Sequence, residues 1–237
     1  MTLTAGLTRT ALLLATGIFL GATRADAVTI GLTDTFNGGL QNWTTSLGPG
    51  GGVPPVGPTR ISSGGPGGAG DAYMALTAIG GCDRPGCRLV AMNPAQWAGD
   101  YLAAGVTRID MDLINLGSTA LTIRLLFEDP LLAPPADEAV TTFGALLPVG
   151  SGWTHVGFDV SPAALTTLLG SNTTLMSNVT IMRIIHAPAA GEPVSVVGSV
   201  GVDNIRAVPE PLTILLGATA LAGIAARRVR RRSAIRY

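Results

Sequence analysis

Lysine is absent from the chain, and histidine and cysteine occur only twice each. The missing lysine fits the coding bias of a GC-rich genome and carries no mechanism of its own. The scarce histidines exclude more. His155 sits in an alternating run and His186 just before Ala187-Pro188, with no Gly-x-Ser-x-Gly elbow and no cysteine–histidine arrangement. Nucleophilic catalysis therefore has little footing. Two cysteines fall short of the four ligands of a structural zinc, and neither histidine lies near them in sequence. Positive charge is short as well. Between residues 28 and 207 seven arginines face ten aspartates and three glutamates, a balance of −6 that the C-terminal arginines conceal in an overall charge of zero. A nucleic-acid partner needs a basic face, which this acidic body lacks. The body suits a soluble envelope protein or a binder of divalent cations.

The two ends carry long apolar runs. Pro209-Glu210-Pro211 should stop any strand, because neither proline has the N–H that a ladder needs. Residues 212–226 then hold no charge, and Arg227, Arg228, Arg230, Arg231, Arg232 and Arg236 follow. That span is a little short against the ~20 residues of a crossing helix, but counting from Val208 and letting the arginines snorkel brings it close. The arginines belong on the cytoplasmic side, which leaves the preceding residues outside the cytoplasm. The alternative is a buried core helix ending in charges, and six arginines within ten residues speak against it. At the other end Arg9, the apolar run 11–22 and Ala25-Asp26-Ala27 read as a signal peptide cut after Ala27. Arg24 is unusual on that flank and keeps a retained N-terminal anchor in view. The chain thus divides into a signal peptide (1–27), a body (28–207) and a tail (208–237).

Pro-Glu-Pro, an apolar span and an arginine cluster, in that order, resemble the PEP-CTERM sorting signal. The resemblance implies a bacterial protein exported across the inner membrane, with Pro209, Glu210 and Pro211 recognised by a membrane-embedded exosortase. Its destination would be the cell envelope or an extracellular polymer matrix. The match covers about thirty residues and addresses destination alone.

Cys82 and Cys87 flank the turn Asp83-Arg84-Pro85-Gly86. In an oxidising compartment they should form a small-loop disulfide that staples a hairpin tip and removes little chain entropy. Residues 48–70 are dense in glycine and proline and read as loop, including Gly48-Pro49-Gly50, which precedes no helix and is no phosphate cradle. Strand-like runs occupy 28–36, 73–79, 88–92, 106–113, 121–128, 139–147, 153–160, 180–185 and 194–202. Those at 106–113 and 121–128 alternate with period two across a short glycine turn, the mark of antiparallel pairing. Ser161-Pro162 opens the one convincing helix, 162–169, ended by Gly170. Asn93 and Pro94 cap a helical turn that would put Trp97 and Tyr101 on one face, either as a sugar-stacking platform or as a cover for the end of a sandwich. Many short strands and little helix give an all-β, antiparallel two-layer sandwich, jelly-roll-like, with one short helix and a C-terminal transmembrane helix.

The body also resembles carbohydrate-binding-type jelly rolls of the galactose-binding-like group. Asp34, Phe36, Gly39 and Trp43 match the early segment of that group. Trp153, Val156, Phe158 and Val160 match a core strand, and Asp203, Asn204 and Ile205 the last strand. The resemblance implies a structural calcium shared by Asp34 and Asp203 with backbone carbonyls, since Ca²⁺ takes six to eight oxygens. The competing reading has Asp34 capping a turn and Asp203 hydrogen-bonded at a sheet edge. Glu128-Asp129 could pair for glycoside hydrolysis, but neighbours on a strand point to opposite faces. The chain is thus read as non-catalytic. It is either a structural protein of the envelope or matrix, or a module that binds an extracellular polysaccharide through loops or through Trp97 and Tyr101.

Overall fold

The structure is a computed structural model that describes residues 28–45, 57–130 and 134–209. Its frame follows from the period-two runs. In β5 (Arg108–Asn115) Ile109, Met111 and Leu113 point inward and Arg108, Asp110 and Asp112 outward. In β6 (Leu121–Asp129) Leu121, Ile123, Leu125 and Phe127 point inward. The two rows meet in one core, and each such side chain contributes about 2 kcal/mol by leaving water.

Two antiparallel six-stranded sheets enclose that core. The first runs β2 (Thr59–Ile61), β3 (Tyr73–Ile79), β12 (Val197–Val208), β5 and β9 (Thr154–Asp159), with β1 (Thr33–Asp34) also on β12. The second runs β10 (Leu165–Leu169), β7 (Asp137–Thr141), β6, β11 (Ile181–His186) and β4 (Val90–Asn93), with β8 (Ala145–Leu147) also on β6. The expected two-layer sandwich is what forms. Cys82 and Cys87 are joined as a disulfide at the tip between β3 and β4.

Two helical expectations are corrected. Pro162–Ala164 makes only a 3-10 turn, and Leu165–Leu169 is the edge strand β10, paired with β7. Sheet pairing overrides the helix preference of so short a segment, which also carries two β-branched threonines. The Asn172 amide donates to the carbonyls of Pro162 and Leu165, fixing this turn from outside. Asn93 is the last residue of β4 and starts no helix. The capped turn is α1 (Tyr101–Ala104), with Asp100 accepting from the Ala103 N–H at 2.8 Å. A second short helix, α2 (Asn172–Met176), lies in a stretch to which the sequence assigned no element. The first strand-like run, 28–36, shrinks to β1, because Gly31 and Phe36 adopt positive φ. Among the described residues no helix is long and apolar enough to cross a membrane. The signal peptide, the transmembrane helix and Glu210 and Pro211 of the sorting motif lie outside the described residues.

Candidate functional site

The outer face of the second sheet departs from simple alternation. Arg124, Leu126 and Glu128 point away from the core, yet all three are buried. Strand register sets their neighbours. Leu126 lies between Val140 of β7 and Arg183 of β11, which in turn faces Met92 of β4. Glu128 lies between Glu138 and Ile181. Val90, Met92, Leu126, Val140, Ile181 and Ile185 form a second apolar cluster, and Ala187 and Ala190 from the β11–β12 connection pack on it. That connection crosses the sheet face as a strap.

Arg124 pins the start of the strap. Its guanidinium donates to the carbonyls of Ala187 (2.9 Å), Pro188 (3.2 Å), Thr141 (2.8 Å) and Thr142 (2.7 Å). Four carbonyls thus satisfy a cation that no carboxylate accompanies. Gly144 leaves it room, since a Cβ there would come within 2.6 Å of Thr122 and 3.0 Å of Arg124. His186 holds the adjacent corner with Nδ1 accepting from the Thr122 N–H at 3.0 Å, and burial lowers its pKa.

Charges gather along the middle of the same face. Arg183 donates to Glu128 at 2.8 Å, and Glu128 lies directly across from Glu138. Burial is the largest influence on Glu138, followed by a hydrogen bond and repulsion from Glu192 on the strap and repulsion from Glu128. Together they push its pKa up to about 8, against the pull of Arg183. At neutral pH Glu138 therefore keeps its proton and donates it towards Glu192. Burial also raises the pKa of Glu128, with Arg183 opposing. Glu128 is 3 % and Glu138 4 % exposed, so this pair admits no substrate bond between its carboxyls.

Beside the cluster opens a cavity of about 290 Å³. Val90 and Met92 line it together with Arg183. Asp83, Arg84, Pro85 and Arg88 of the disulfide tip form one wall, and Glu192 and Pro193 of the strap another. The tip is fastened to both neighbours: Ile79 N–H donates to the Gly86 carbonyl at 2.8 Å and Val196 N–H to the Cys87 carbonyl at 3.1 Å. The arrangement offers hydrogen-bonding side chains above an apolar floor. It can hold a polar ligand.

The residues singled out in the sequence fall elsewhere. Trp97 and Tyr101 are both 0 % exposed, which corrects the stacking reading. Tyr101 rests edge-on against Phe127 at 5.5 Å and donates to the Trp97 carbonyl at 2.9 Å. Neither of these two rings offers a face to a sugar. Asp34 and Asp203 do not meet either. Asp34 lies opposite Ile205, a core residue, and so turns inward, while Asp203 lies opposite Asp112 on the outer side of the first sheet. Asp34 Oδ2 accepts from both Trp43 and Trp97 indole N–H groups at 2.7 Å, with the Gln96 amide also in reach. Three converging donors repel a cation, so these residues do not fit a shared calcium. Asp203 is 0 % exposed, with Oδ2 lacking a partner, and its pKa is pushed up to about 7 by burial and then by Asp71 and Asp112. Among the described residues no group of three or more metal-ligating side chains is brought together. Asp129 turns from Glu128 to accept from Asn178 at 2.8 Å. The cavity residues were missed because their common signal is cross-strand register, which sequence spacing does not carry.

The fold is a two-sheet antiparallel sandwich similar to that of carbohydrate-binding modules. In particular, it is similar to a family 11 carbohydrate-binding module from Clostridium thermocellum in complex with a β-1,3-1,4-mixed-linked tetrasaccharide. The alignment has TM-score 0.52 and 18 % identity, over 76 % of this chain and 97 % of that one. A family 11 module of the cellulosomal cellulase Lic26A-Cel5E from Clostridium thermocellum aligns with TM-score 0.50 and 14 % identity, over 77 % and 96 %. At such identities the likeness concerns the fold alone. No family model matches the chain, and no curated protein matches it.

Proposed function

We propose that the chain is a non-catalytic module that binds an extracellular polysaccharide at the outer face of its second sheet. The observation that carries this reading is the cavity between the disulfide tip and the strap, where polar side chains surround an apolar floor. The shared fold with a module described in complex with a tetrasaccharide supports the substrate class by analogy. The burial of Glu128 and Glu138, with Glu128 held by Arg183, favours binding over hydrolysis. The reading includes the destination implied by the two ends: export through the N-terminal segment, then sorting at Pro209-Glu210-Pro211 by an exosortase, to the envelope or a polymer matrix. A glycan-array and polymer pull-down screen of the full chain tests it. Retention on at least one polysaccharide is expected. Retention on none returns the protein to a purely structural role in the envelope or matrix.

A further inference from the structure

Of the seven arginines between residues 28 and 207, three line this cavity: Arg84, Arg88 and Arg183. Two acids, Asp83 and Glu192, share the lining. In a body with a net charge of −6 this concentration of guanidinium groups calls for a reason. We propose that the cavity selects saccharides bearing an anionic group, a uronate carboxylate or a sulfate ester, over neutral glucans. The proposal rests on the polysaccharide-binding reading and specifies its substrate class.

The donors are only partly used. Arg88 gives one corner, Nη2, to Asp83 at 3.0 Å, and that aspartate is 80 % exposed, so water weakens the pair. Arg183 gives Nη2 to Glu128 at 2.8 Å, which leaves Nη1 without an acceptor among the described residues. The Nε–H groups of Arg88 and Arg183 are buried and also have none. The guanidinium of Arg84, exposed on the stapled tip, makes no hydrogen bond or ion pair with the described residues. Guanidinium forks match the planar oxygens of a carboxylate or sulfate, and charge-assisted bonds of this type are about twice as strong as neutral ones.

Three acids accompany the three arginines, Asp83 and Glu192 in the lining and Glu128 on Arg183, so the selectivity rests on the unused guanidinium donors rather than on net charge. Glu138 keeps its proton at neutral pH and adds no charge beside the cavity. Glu128 is already spent on Arg183. The acidic outer face of the first sheet lies across the sandwich core, and at physiological salt its field is screened beyond about 8 Å. What the cavity lacks points the same way. Val90, Met92, Pro85 and Pro193 are its apolar lining, and no aromatic ring is among the lining residues. The stacking contribution that favours a neutral sugar ring is missing, so charge must supply the affinity.

The test is calorimetric titration of the full chain with three probes: an oligogalacturonate, a κ-carrageenan oligosaccharide and a neutral mixed-linkage β-glucan tetrasaccharide. Binding to one or both acidic probes, little to the neutral one, and weakening with added salt are expected. Arg84→Gln should lower acidic-probe affinity about tenfold, as expected for one lost charge-assisted bond. Its melting temperature should be unchanged, because the side chain is exposed and unpaired, and Arg84→Lys should recover part of the affinity. Equal or tighter binding of the neutral probe, indifferent to Arg84→Gln, would overturn the proposal and leave polysaccharide binding standing. Binding of none of the three, in a chain that also fails the wider glycan screen, would remove both.

Discussion

Glu138→Gln should stabilise the protein, and by an amount that depends on pH. The wild-type carboxyl is protonated in the folded state up to about pH 8, against an ordinary value of 4.5, because burial and the carboxylates of Glu192 and Glu128 disfavour its charge. The raised folded pKa fixes the sign. The folded state binds this proton more tightly than the unfolded chain, so stability is greatest below pH 4.5 and declines as pH rises towards 8, then levels. Glutamine keeps an N–H donor for Glu192 and cannot ionise. Its advantage should therefore grow by about 1.4 kcal/mol per pH unit across that window and reach on the order of 4 kcal/mol above it. Urea unfolding of wild type and variant, compared at pH 4, 6, 8 and 9, measures the difference, since titrating groups other than Glu138 and its neighbours Glu128 and Glu192 cancel between them. A stability difference that stays constant over this range would refute the shared-proton reading of Glu138 and Glu192.

Other expectations follow from the burial of the residues first taken as ligands. Asp34→Ala leaves two buried indole N–H groups, of Trp43 and Trp97, without their acceptor and should cost about 3 kcal/mol in denaturant unfolding. Trp97→Ala opens a void at a fully buried site and should cost about 3–5 kcal/mol, so any loss of glycan binding should track loss of fold by circular dichroism. Excess chelator should leave the melting temperature unchanged, because Asp34 and Asp203 point to opposite sides of their sheet. A chelator-induced drop of several degrees would show that a cation does bridge elements of this fold.

The sandwich was legible wherever a strand has one wet and one dry face. Ile109, Met111 and Leu113 and their partners Leu121, Ile123, Leu125 and Phe127 announce themselves by period alone. The disulfide was equally plain, since Cys82 and Cys87 have no other partner in the sequence. The segment 162–169 misled because its local pattern favours a helix while its hydrogen bonds go to β7, a choice made by tertiary pairing. Asp34 and Asp203 were paired by the resemblance to jelly rolls that share a structural calcium, but the inward or outward sense of each follows from register with β12 and β5. The cavity was invisible for a related reason. Arg88 stands far in sequence from Arg183 and Glu192, and they converge because β4 and β11 pair and the strap folds back over them.

Hydrogen–deuterium exchange of the full chain, with and without an oligosaccharide retained in the glycan screen, tests the central claim most directly. The expected result is added protection in the disulfide tip and β4, residues 83–93, and in the strap around Glu192 and Pro193. Protection confined to the outer face of the first sheet, around Tyr73 and Trp153, would contradict it.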